Sequence, residues 1–168
     1  MTSPQKAKGG AWERQCAKFL SDLYEESFVR TAHSGAFIGG TNAHRKAVLS
    51  ESQTKSYKGD ITPPDSWNNL NIECKSYQDF PFHLLLTGNC KVIDGWLSQL
   101  MDVAEENDCN ALMMKFNRKG SYIVVQSKYT WVTDNFIYYT SVKHGDWIIV
   151  DFNDFFKYNK DLFKTYAS

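Results

Sequence analysis

The chain has 168 residues, enough for one domain whose core can fold alone, and it carries 19 basic against 19 acidic side chains. That balance excludes a protein that coats nucleic acid by bulk charge, and no run of about 18 apolar residues offers a membrane span. The polar start is read as a flexible N-terminus over 1–10 rather than a secretion signal, so a cytoplasmic protein with its folded domain over 11–168 is expected.

Trp12, Cys16, Phe19, Leu20, Leu23 and Tyr24 recur at helical spacing, which predicts an amphipathic helix over 11–26 with Glu13 at the edge of its apolar stripe. A short strand over 28–31 follows. Residues 34–59 are polar, contain glycine and show no periodicity, and read as a loop or projecting hairpin. Asp60 and Ile61 close that stretch, and Pro63-Pro64-Asp65 makes a turn. Over 70–75 the residues alternate as in a strand, with Leu70, Ile72 and Cys74 on one side and Glu73 and Lys75 on the other. Asp94 is placed to cap a helix over 94–107 with Trp96, Leu97, Leu100, Met101 and Ala104 on one face. Strands over 111–116 and 122–126 flank an Asn117-Arg118-Lys119-Gly120 turn, further strands fall at 136–142 and 147–150, and an aromatic-rich helix is expected over 153–163. The order predicts an α/β protein, a mixed sheet with helices packed on it.

The chemistry concentrates near the strand over 70–75. Residues two apart on a strand point the same way, so Glu73 and Lys75 project together while Cys74 turns to the opposite layer. Mg²⁺ takes oxygen ligands, commonly one or two carboxylates completed by water and substrate phosphate, and Asp60 and Glu73 supply two. A bound Mg²⁺ acidifies its water and neutralises charge on a phosphate, and a nearby lysine holds or deprotonates the attacking water. These three residues suffice for phosphodiester hydrolysis. A surface ion pair, worth up to about 1 kcal/mol, would also account for Glu73-x-Lys75 taken alone.

Asp60, twelve further residues and then Glu73-Cys74-Lys75 resemble the signature of the PD-(D/E)XK nuclease superfamily, whose core has the same order of helix, three strands, helix and strand. The resemblance spans about 9–126. Within the superfamily the chain looks most like the Holliday junction resolvases of archaeal and RecU type. The matching pieces are Gly10-Ala11-Trp12-Glu13, Asp60, Ile72-Glu73-Cys74-Lys75-Ser76, Phe80-Pro81-Phe82 and Gln99. The resemblance implies a restriction-endonuclease-like fold and an endonuclease that resolves four-way or other branched DNA as a homodimer. It implies Mg²⁺, with Mn²⁺ able to substitute, held by Asp60, Glu73 and the Cys74 carbonyl. Lys75 would serve the water, Glu13 would assist through metal or water, and Gln99 would steady the site. A restriction or repair enzyme of the same fold acting on duplex, or a DNA-binding protein that has lost catalysis, are the alternatives. Pro64-Asp65 also spells the motif, but only seven residues separate Asp65 from Glu73, and Asp60 is preferred.

From Arg30 to Lys58 five basic residues (Arg30, Arg45, Lys46, Lys55, Lys58) stand against one acid, Glu51, while acids gather late at Asp146, Asp151, Asp154 and Asp161. One DNA-facing side is therefore expected, with Ser34, Arg45, Lys46, Lys55 and Lys58 as its contacts. A solvated basic loop would carry the same charges. The glycines Gly35, Gly39 and Gly40 would let the backbone approach DNA closely. His33, His44, His83 and His144 lack ligand spacing, and Cys16, Cys74, Cys90 and Cys109 form neither a C-x-x-C pair nor a zinc pattern, so reduced, buried thiols are expected. Most of the late aromatics, among them Trp131, Tyr138, Tyr139, Trp147, Phe155 and Phe156, are assigned to the core.

Overall fold

A computed structural model of the protein describes residues 4–32, 41, 44, 47–50, 53 and 58–168. Most of the expected loop or hairpin over 34–59, and with it Ser34, Arg45, Lys46 and Lys55, lies outside the described residues.

Helix α1 (Pro4–Tyr24) begins inside the stretch expected to be flexible. A proline in the first turn gives up no helical hydrogen bond, and the helix carries Gly9 and Gly10 in its interior. Of the predicted stripe Trp12, Cys16, Leu20 and Tyr24 are buried and Phe19 and Leu23 partly buried, and Ala17, which the spacing did not single out, is buried with them. Strands β1 (Val29–Arg30) and β2 (Ile61–Thr62) pair antiparallel as a small ribbon, with Val29 opposite Thr62.

The main sheet holds β3 (Leu70–Tyr77), β4 (Cys109–Phe116), β5 (Gly120–Gln126), β6 (Ile137–Ser141) and β7 (Gly145–Asp151), in the order β3-β4-β5-β7-β6. Among the described strands only the β3/β4 pair is parallel, and α2 (Lys91–Asp102) lies in the crossover between those strands. Parallel neighbours need such a crossover, whereas the antiparallel neighbours β4/β5 and β6/β7 are joined by tight turns. Arg118 (φ 58°) and Gly120 (φ 90°) supply the left-handed backbone of the first of these turns. Asp94 is not the cap of α2: the helix starts at Lys91 after Cys90, and the Asp94 carboxylate instead accepts from the Tyr139 hydroxyl at 2.9 Å. The cap of α3 (Phe152–Ala167) is Asp151, whose side chain accepts from the Asn153 and Asp154 amides.

Alternation along the strands sends side chains into two cores. Leu70, Ile72, Cys74, Ala111, Met113, Ile123, Val125, Ile148 and Val150 meet α1 and α3 on one face. On the other, Leu112, Met114, Phe116, Val124, Trp147 and Ile149 meet Ile93, Trp96, Leu97 and Leu100 of α2. Each buried large apolar side chain is worth about 1.5–3 kcal/mol, so covering both faces stabilises the sheet far more than either helix layer alone would. A mixed sheet flanked by helices on both faces is the expected restriction-endonuclease-like α/β fold. Tyr139, Trp147, Phe155 and Phe156 are buried as assigned, while Tyr138 is exposed. All four cysteines are free and buried. Among the described residues no helix is long and apolar enough to cross a membrane.

Candidate active site at the edge of the sheet

β3 is an edge strand, so one of its two rows of backbone groups faces away from the rest of the sheet. Asp60, just before β2, bonds to two groups of that row. Asp60 donates its amide to the Ile72 carbonyl at 2.7 Å, and its carboxylate oxygen Oδ2 accepts the Cys74 amide at 2.8 Å. Gly59 makes this approach feasible. Its φ is +67°, and a Cβ there would stand 2.5 Å from the Ile72 carbonyl oxygen, closer than any side chain tolerates. Sequence reasoning passed over Gly59, because a single glycine before an aspartate carries no signal without the strand it presses against.

The N–H and C=O of one strand residue point to the same side of the strand. Since the Cys74 amide reaches Asp60, the Cys74 carbonyl looks toward that open edge as well. The Cys74 thiol does the opposite and is buried against α1, as the alternation predicted.

Glu73 and Lys75 project together on the face of β3 that also carries α2, opposite Leu112 and Met114 of β4. The Lys75 ammonium donates to Glu73 Oε1 at 2.7 Å, and their side chains are only 15 % and 14 % exposed. Glu13 approaches from α1. The preceding residue, Trp12, is buried and donates its indole N–H to the Met113 carbonyl at 3.0 Å, which fixes the helix across the sheet. The Glu13 carboxylate accepts from the Arg30 guanidinium of β1.

Asp60, buried among these groups, has its carboxyl pushed up to about 7, first by burial and then by the charge of Glu73, with Glu13 adding to it. The Cys74 amide and the Lys75 charge act the other way. The two carboxylates that oppose its ionisation are each engaged by a cation, Glu73 by Lys75 and Glu13 by Arg30. Among the described residues no group of three or more His, Cys, Asp or Glu is arranged to hold a metal ion. Two carboxylates and a carbonyl fit the sparser protein shell of Mg²⁺, which keeps several waters.

Other residues singled out in the sequence lie elsewhere. Gln99 is exposed on α2 and makes no hydrogen bond to Asp60, Glu73 or Lys75. Lys58, expected on a DNA-facing surface, is 4 % exposed and donates to Asp108 at 2.7 Å. A surface phosphate contact by Lys58 is therefore not what the fold provides; burial in a fixed ion pair takes its charge away from solvent. Asp65 is exposed in the turn after β2. Phe80 and Phe82 pack on Phe116 at 5.2 and 5.6 Å and anchor the chain leaving β3. His44 and His83 are exposed, His144 bonds Ser98 at 2.9 Å beside α2, and His33 lies outside the described residues.

Fold and motif together define the class as the PD-(D/E)XK superfamily. Over residues 4–165 the chain matches the family described as "Phage putative PDDEXK endonuclease", and it belongs to that family. No curated protein and no solved structure matches it.

Proposed function

We propose that the protein is a divalent-metal-dependent endodeoxyribonuclease that hydrolyses phosphodiester bonds of branched DNA, four-way junctions in particular. The convergence of Asp60, Glu73 and Lys75 at the open edge of β3 carries this reading, and membership of an endonuclease family supports it. Asp60, Glu73 and the Cys74 carbonyl would hold Mg²⁺, or Mn²⁺ in its place. The bound ion supplies charge neutralisation at the scissile phosphate and a more acidic water.

The chain's own groups do the rest. Lys75, a donor with three N–H groups, turns from Glu73 to hold the attacking water on the same strand face. Hydrolysis forms the bond from that water to phosphorus and breaks the bond to one bridging oxygen, which leaves with a proton. Glu13 orients water or metal from α1, and Arg30, its present partner, lies at the rim where a phosphate would pass. Gln99 is the weakest member of the proposed set. Ser34, Arg45, Lys46 and Lys55 are proposed to contact DNA backbone, a role that burial withholds from Lys58.

Symmetric cleavage of a four-way junction takes two active sites, which calls for a homodimer. Incubating the protein with a four-way junction and a linear duplex, with and without Mg²⁺, tests the reading. Metal-dependent paired cuts in the junction support it. Cutting of duplex alone would make the protein a restriction- or repair-type enzyme of the same fold, and binding without cutting would make it a DNA-binding protein.

A further inference from the structure

We infer that the buried Lys58–Asp108 ion pair is a positioning device for Asp60, an inference that rests on the nuclease reading given above. Lys58 stands two residues before Asp60, and its ammonium lies 2.7 Å from Asp108 Oδ1 and 3.8 Å from Glu105. Both members of the short pair are nearly inaccessible, 4 % for Lys58 and 1 % for Asp108.

Asp108 is itself fixed from several directions. Its second oxygen accepts the Glu105 amide at 2.7 Å, its carbonyl accepts from Tyr129 and Asn110, and the next residue, Cys109, donates its amide to Asn69 at 2.6 Å. The anchor therefore sits at the start of β4, where the parallel pair begins. Asp60, in contrast, lies on the outer edge of β3, bonded there by its amide and its carboxylate and to the Thr31 amide through its carbonyl, beside two carboxylates that repel it. Something must hold it there before a cation arrives. Gly59 is the only residue between anchor and ligand, and the carbonyl of Ile72 blocks it on one side.

Stability alone is a poor reason for such a pair. Desolvating two charges offsets most of their attraction, and replacing a buried pair by uncharged side chains of similar size is often neutral or stabilising. What an ion pair adds is a defined place: the ammonium must end at Asp108, which fixes the register of the chain at Gly59 and Asp60.

The informative variant is Lys58→Met/Asp108→Asn, which leaves no buried charge unpaired and keeps an oxygen for the Glu105 amide. Amide exchange on the metal-free protein and Mn²⁺ titration are read side by side. The Asp60 and Cys74 amides should exchange at least about 10-fold faster than in the parent, while those of Leu112 and Val124 in the sheet centre are unchanged. Mn²⁺ affinity should fall about 10- to 100-fold, the usual cost of losing a group that orients a ligand. Unchanged exchange at Asp60 and Cys74 would overturn the inference. So would a uniform loss of protection, which would mean a structural role only. A parent protein that binds no Mn²⁺ at all would count against the nuclease reading instead, and the exchange comparison would still decide the positioning.

Discussion

Replacing Asp60 by Asn removes the one carboxyl that the fold strains most, and the consequence is a change in how stability depends on pH. The Asp60 carboxyl stands at about 7 in the folded protein against 3.8 when free, because burial first and the Glu73 charge second oppose its ionisation. A raised value means that the folded state binds the proton more tightly than the unfolded chain does. The resulting stabilisation is complete below about pH 4 and is lost as pH rises through about 7. Three pH units correspond to about 4 kcal/mol, an upper bound for this group, and its burial leaves little solvent screening to reduce it. Urea denaturation of metal-free parent and Asp60→Asn at pH 4, 6 and 8 measures the effect. The parent should lose a few kcal/mol relative to the variant across that range. Mg²⁺ should restore the parent more at pH 8 than at pH 5, since a protonated carboxyl must release its proton before it can bind, and should do little for the variant. Parallel stability curves for the two proteins would refute the electrostatic account of this site.

Lys75→Ala should slow single-turnover cleavage by about 10²-fold or more while Mn²⁺ still binds, the pattern of a lost water-positioning group; a change in melting alone would reduce the residue to an ion-pair partner. Gly59→Ala should cost about 1–3 kcal/mol in urea denaturation and abolish cleavage, whereas Gly88→Ala, at a similar φ of +66° but in open space, should cost less and leave cleavage intact. Changing Arg45 and Lys46 together to Gln should weaken DNA binding and flatten the plot of log affinity against log salt by about 2, the contribution of two phosphate contacts.

Local chemistry made part of this molecule readable before folding. Period-two alternation alone put Glu73 and Lys75 on one side of β3 and Cys74 on the other, and period-3.6 spacing marked the buried stripe of α1. Spacing from the motif favoured Asp60 over Asp65, and the turn residues around Asp65 place it in solvent. Features that depend on distant partners were not readable. Lys58 looks like a surface cation because its partner, Asp108, is 50 residues away. Gly59 acquires meaning only from the Ile72 carbonyl it must approach, and Glu13 was legible as a helix-edge acid but not as the partner of Arg30. The start of α2 was misplaced because Asp94 is a good capping residue that a tertiary bond to Tyr139 engages instead.

The proposal stands most directly on whether Glu73 is a metal ligand in a cleavage reaction. Parent and Glu73→Gln, which keeps shape and removes charge, should be compared on one labelled four-way junction with Mg²⁺ and with chelator. Metal-dependent cleavage by the parent, none above background by Glu73→Gln, and equal junction binding by both are the predicted result. Undiminished cleavage by Glu73→Gln, or parent cleavage that persists in chelator, would contradict it.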